Sequence, residues 1–99
     1  MAFAGSAGAG FIYLTWTPGA DTYQIWRSDT NDRSAAVLLA DALTASPFQD
    51  WIVVNGQTYY YWLYDVTSAV WDPVSSTGGV SVTATWKDIS TSSTRSNFL

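Results

Sequence analysis

The sequence predicts an all-β fold, a small antiparallel β-sandwich, and three observations carry that prediction. Short runs rich in β-branched and aromatic residues are separated by turn residues at roughly 8–12-residue intervals, the rhythm of a sandwich or barrel. GVSVTATW (79–86) alternates strictly, with Val80, Val82 and Ala84 set against Ser81, Thr83 and Thr85. Period-two patterning of this kind belongs to a strand with one buried face. Helix signals are weak throughout.

Each run can be taken in order. FIYLTWT (11–17) stops at Pro18-Gly19, a turn pair. TYQIWRS (22–28) leads into the polar loop DTNDR. SAAVLLADAL (34–43) admits two readings: a helix, because Ala and Leu favour one, or a turn followed by the strand VLLADAL (37–43). FQDWIVV (48–54) ends at Asn55-Gly56, and TYYYWLYDV (58–66) runs into a loop containing Asp72-Pro73. GVSVTATW closes the set. The domain is therefore expected over 11–86, flanked by an Ala/Gly-rich N-terminal arm (1–10) and a Ser/Thr-rich C-terminal arm (87–99) ending in Phe98-Leu99. Alone, both arms would fray. A neighbouring subunit, or the domain's own surface, is expected to hold them.

Composition narrows the function. The 99 residues contain no Cys, no His and no Glu. That removes disulfides, thiolate or imidazole metal ligands, and the common nucleophile–base pairs, so no cofactor is expected. The charged residues are eight Asp against four Lys and Arg, giving a net charge of −4. Such a surface repels phosphate backbones and argues against nucleic acid. No run approaches the roughly 18 apolar residues of a membrane span. GSAGAG lacks the preceding strand and the Lys-Ser/Thr ending of a phosphate loop. DTNDR has Ca²⁺-ligand residue types without the central Gly or closing acid of an EF-hand, so it reads as a solvated turn. No two Asp fall in an evident cleft, as glycoside hydrolysis would need. A non-enzyme is expected. The start, MAFAGSAGAGF, has no basic n-region, so the chain reads as a complete product made in a cytoplasm.

The spacing of particular residues resembles one family. Leu14-Thr15-Trp16, then Tyr23-x-Ile25-x-Arg27, then Asp50-x-x-Val53-x-x-Gly56-x-x-Tyr59-x-Tyr61-x-Leu63, resemble the pattern of a fibronectin type III domain across about residues 11–85. The resemblance implies an immunoglobulin-like Greek-key sandwich of about seven strands. An Arg after the third strand and the Tyr-Tyr-Tyr run look like bacterial and bacteriophage modules. The chain departs from the family at its first strand, where AFAGSAGAG replaces a Pro-containing apolar segment. Either a weak strand forms there or the sheet edge stays open to another chain. Asp65 also departs, since the family places a small apolar residue at that point. Asp50 is expected to cap a turn beside Tyr59.

Alternation then sorts the aromatic residues. Ile12, Leu14, Trp16, Tyr23, Ile25, Tyr59, Tyr61 and Leu63 should face the core. Phe11, Tyr13, Thr15, Gln24, Trp26, Tyr60, Trp62 and Tyr64 should face outward. In the family the third strand and the Tyr-rich strand are neighbours, so Trp26, Tyr60, Trp62 and Tyr64 are expected to share one outer face. Rings on that scale make a patch of interface size. Trp51, Trp71 and Trp86 are expected to have packing roles. The reading that follows is a structural or assembly protein of a bacteriophage virion, such as a capsid decoration, neck or tail subunit. It would bind other virion proteins or copies of itself through that face and through Phe98-Leu99. The alternative is a carbohydrate-binding module whose rings stack on surface glycans. A loop or arm folding over the face would remove both.

Overall fold

The computed structural model describes residues 1–85, which form two antiparallel sheets. Strands β1 (Ala4–Ala7), β2 (Ile12–Thr15) and β5 (Phe48–Asp50) make the smaller sheet, in the order β1-β2-β5. The larger sheet takes β4 (Val37–Leu43), β3 (Tyr23–Ser28), β6 (Thr58–Asp65) and β7 (Val70–Asp72) in that order, with β8 (Val80–Thr83) also paired to β6. The expected sandwich is what the chain forms. Trp86 and the C-terminal arm 87–99, including Phe98 and Leu99, lie outside the described residues.

The core is the inward half of the alternation. Ile12, Leu14, Ile25, Tyr61 and Leu63 are fully buried, and Trp16, Tyr23, Tyr59, Val82 and Ala84 nearly so. Each large side chain removed from water in this way contributes about 1.5–3 kcal/mol. This interleaved set from both sheets is what holds them face to face.

Of the two outcomes open for residues 1–10, a weak strand or an open edge, the first holds: they supply β1, which runs antiparallel to β2 with Ala4 opposite Thr15 and Ala7 opposite Ile12. Phe3 enters the core, the Thr17 N–H donates to the Met1 carbonyl, and Ala9 bridges Thr85 in parallel. The small residues have a steric cause. A Cβ on Gly5 would stand 2.8 Å from a Val82 methyl and 3.1 Å from one of Leu14. A larger residue there would push β1 off the two strands it joins, so the missing side chains are what lets this strand form.

The 34–43 ambiguity resolves as turn plus strand. Arg33–Ala35 make a single 3-10 turn capped by Asp32, and β4 follows. Beyond Asp65, where the sequence predicts a loop, the chain makes a further short strand. β7 pairs with Leu63–Asp65, while β8 pairs with Thr58–Tyr61. Both use the edge of β6 opposite β3. Residues 73–79 between them leave the sheet.

Candidate functional site

The outer face of the larger sheet carries the residues expected to bind partners. Trp26 lies opposite Trp62 in the β3–β6 register, next to the Gln24–Tyr64 and Ser28–Tyr60 pairs, so the four predicted rings do share one face. Their exposure is another matter. Trp26, Tyr60 and Tyr64 are partly exposed, but Trp62 is 0% exposed. Trp62 points outward as alternation requires and is covered by the 73–79 segment. Its indole N–H donates to the Ser75 carbonyl at 2.9 Å. A Cβ on Gly79 would fall 2.8 Å from the indole ring, so only glycine lies this close.

The strap is anchored from the DTNDR loop. The Arg33 N–H donates to the Ser76 carbonyl at 2.7 Å, the Arg33 guanidinium to the Val74 carbonyl at 3.2 Å, and the Gly79 N–H to the Asn31 side chain at 3.0 Å. Asp32 accepts from the Ser34 N–H and hydroxyl, and those bonds hold its carboxyl below the usual value. The loop is a clamp. Among the described residues no three acidic, His or Cys side chains gather as a metal site.

Trp71 belongs to this cluster as well. Its ring lies 4.5 Å from Tyr64 and 6.0 Å from Trp26, and the Arg33 guanidinium sits 4.4 Å from its centroid.

On the inner side of the same sheet, one register pair from Trp26–Trp62, lies a polar cluster built on Arg27, Tyr61 and Asp50. Asp50 is 2% exposed. One carboxylate oxygen accepts from the Arg27 guanidinium at 2.9 Å and from the Tyr61 hydroxyl at 2.7 Å; the other accepts from the Ile52 N–H at 3.1 Å. It caps the turn as expected and also pairs with Arg27, which is itself half-buried. Arg27 continues to the Ile52 carbonyl at 2.6 Å and lies 4.8 Å over the Tyr59 ring. The Tyr59 hydroxyl accepts from the Val54 N–H at 2.9 Å, a tyrosine corner. Burial first, and the Asp50 carboxylate second, push the Tyr61 hydroxyl far above its ordinary value.

These bonds fix the backbone of residues 51–54; Val53 packs against the core, and the other three side chains lie outside. Trp51 is 60% exposed, Ile52 76% and Val54 67%. Trp51 stacks at 4.5 Å on Phe11, which meets Tyr13. The packing role expected for Trp51 is therefore a surface stack, and sequence reasoning singles out neither Ile52 nor Val54. The signal that marks them is the run WIVV, four consecutive apolar residues where a single buried face takes every second one. The other odd residue, Asp65, ends β6 and accepts from the Ser68 N–H at 3.0 Å. Burial alone would raise its carboxyl, but bonds from Ser68, Asp21 and Thr67 together outweigh that and lower it. Asp21, bonded to it, is pushed up.

Neither a family model nor a curated protein matches the chain. Solved structures do. An Fn3-like protein from Clostridium thermocellum superposes with a TM-score of 0.66 at 22% identity, over 84% of this chain and 88% of that one. The pectate lyase PelI from Erwinia chrysanthemi, in complex with tetragalacturonic acid, superposes with a TM-score of 0.55 at 17% identity, over 81% of this chain and 25% of the lyase. Likeness at these identities is likeness of fold. The chain is an all-β antiparallel sandwich with a fibronectin type III-like fold.

Proposed function

We propose that the chain is a non-enzymatic assembly module that binds neighbouring proteins through the 51–54 segment. The observation that supports this is a rigid backbone presenting exposed apolar side chains. Arg27, Asp50 and Tyr59 hold the segment from inside the domain, while Trp51, Ile52 and Val54 face water. A segment ordered before it meets a partner loses little entropy on binding, and a central aromatic anchor is what strong interfaces use. Trp26, Tyr60 and Tyr64, half-buried on the outer face of the larger sheet, form a second patch, so the module has two unlike surfaces. Unlike surfaces join copies or different subunits head to tail. The setting we propose is a bacteriophage virion, as a capsid decoration, neck or tail component, on the resemblance of its Arg27 and Tyr59-Tyr60-Tyr61 positions to such modules.

Mass spectrometry of gradient-purified particles from the source virus, with and without an Ile52→Asp substitution, tests this reading. Wild-type chain in the particle fraction, and loss of the variant at unchanged thermal stability, is the expected result. Equal incorporation of both would remove the 51–54 segment from the interface, and absence of the wild type would remove the virion setting. Titration of tryptophan fluorescence with oligosaccharides tests the glycan alternative separately.

A further inference from the structure

We infer that the chain's own C-terminal segment, residues 86–99, docks on the apolar surface formed by Phe11, Trp51, Ile52 and Val54, as a cover that a neighbouring protein displaces. The displaceable role rests on the proposed use of residues 51–54 as an interface; the docking itself rests on exit geometry, composition and charge. Among the described residues nothing covers Trp51, Ile52 or Val54, which are 60%, 76% and 67% exposed. Phe11 extends the surface, its ring 4.5 Å from that of Trp51. A Cβ on Gly8 would stand 2.4 Å from the Phe11 ring, so Phe11 is held between Gly8 and Trp51. The surface is fixed before anything meets it, which keeps the entropy cost of docking low.

The described chain stops beside this surface. The Ala84 carbonyl accepts from the Gly56 N–H at 2.8 Å, and the Thr85 carbonyl accepts from the Gly10 N–H at 3.0 Å. Gly10 immediately precedes Phe11, and Gly56 follows Val54 by two residues. Residue 86 therefore starts between the two ends of the apolar surface. The segment, WKDISTSSTRSNFL, brings Trp86, Ile89, Phe98 and Leu99 to match it. It also carries two of the chain's four cations, Lys87 and Arg95, against one acid, Asp88. Residues 1–85 hold seven Asp and only Arg27 and Arg33, so a net positive segment faces a net negative body. Fully extended, the segment reaches about 45 Å, so it can lie along the surface without strain. Tethering selects the occupant. A short linker holds its attached group at an effective concentration of about millimolar, so the chain's own segment outcompetes that of another copy at micromolar protein.

A spin label on the full chain tests the inference. The sequence has no Cys, so Ser96→Cys gives a single attachment point for a nitroxide. In NMR spectra of isotope-labelled protein, the oxidised label should weaken the Trp51 indole and the Ile52 and Val54 methyl signals severalfold relative to the reduced label. The Trp71 indole, on the larger sheet, should keep its intensity. A mixture of isotope-labelled wild type with spin-labelled, isotope-free chain should show no loss. Adding Ile52→Asp to the spin-labelled chain should restore most of the Trp51 and Val54 intensity. Equal signals with oxidised and reduced label overturn the inference. So does a loss of the same size in the mixture, which would make the occupant another copy. A loss that Ile52→Asp leaves unchanged reports tethering alone and also overturns it. The two readings fail separately: a nitroxide with no effect removes the cover and leaves the interface standing, whereas Ile52→Asp protein that enters particles like wild type removes the interface whatever the nitroxide shows.

Discussion

Asp50 shows how one residue joins the core to the surface. It is buried, charged, and shared by Arg27, Tyr61 and the Ile52 N–H. Removing Asp50 leaves the buried Tyr61 hydroxyl without its acceptor and takes one charged hydrogen bond from the half-buried Arg27, a loss of about 1.5–3 kcal/mol. Asp50→Ala should therefore lower the urea-unfolding free energy on that scale and loosen residues 51–54, read as faster amide exchange at Ile52 and Val54. Tyr61→Phe should cost about 1–2 kcal/mol. Tyr61 adds a pH dependence of known sign. Its folded-state hydroxyl titrates far above the ordinary value of 10.0, so the unfolded chain gives up that proton first. Stability from this group is complete below about pH 10 and falls as pH rises further. Wild-type stability measured from pH 9 to 11 should drop more steeply than that of Tyr61→Phe.

At the scale of elements, the strap 73–79 and the strand β1 are both built around glycine contacts. Gly79→Ala should destabilise by about 1–3 kcal/mol, since its methyl would overlap the Trp62 indole at 2.8 Å. The Arg33 side chain gives the strap one hydrogen bond, to the Val74 carbonyl, and covers Trp71 of β7, while the bond to Ser76 comes from its backbone N–H and survives substitution. Arg33→Ala should expose Trp62, seen as a red shift in tryptophan emission and proteolytic cutting within 73–79, without global unfolding. Arg33→Lys should restore little, because an ammonium lacks the planar fork and stacks poorly on Trp71. β1 is the converse case. Its Gly5 contacts leave no room for a branched residue, so Gly5→Val should detach the strand from β2 and β8 and lower the melting temperature by several degrees.

For the whole molecule, two sheets share one core, and that core is legible in the order of residues along the chain. The inward set Ile12, Leu14, Trp16, Tyr23, Ile25, Tyr59, Tyr61 and Leu63 follows from period-two alternation, because a one-residue slip would turn every side chain to the wrong face. The candidate site is only partly legible. Alternation assigns Trp62 to the outer side, yet burial there depends on a strap whose anchor residue, Arg33, lies about 40 positions upstream in a different loop. Residues 51–54 show the reverse: a hydrophobic run suggests burial, while side chains from β3, β5 and β6 fix its backbone with Trp51, Ile52 and Val54 outside. The N-terminal segment is illegible for a related reason. By composition small residues signal a loose arm, whereas packing uses them for close approach.

Sequence alone determined what is local and periodic: the strands β2, β3, β5, β6 and β8, which half of the strongly alternating ones faces the core, the turn at Asn55-Gly56, and the absence of His, Cys and Glu side chains. The tertiary structure decided which outward residues meet water. Solvent access depends on contacts between residues well separated along the chain, such as Ser75 with Trp62 or Met1 with Thr17, and alternation within one strand carries no information about what folds over it.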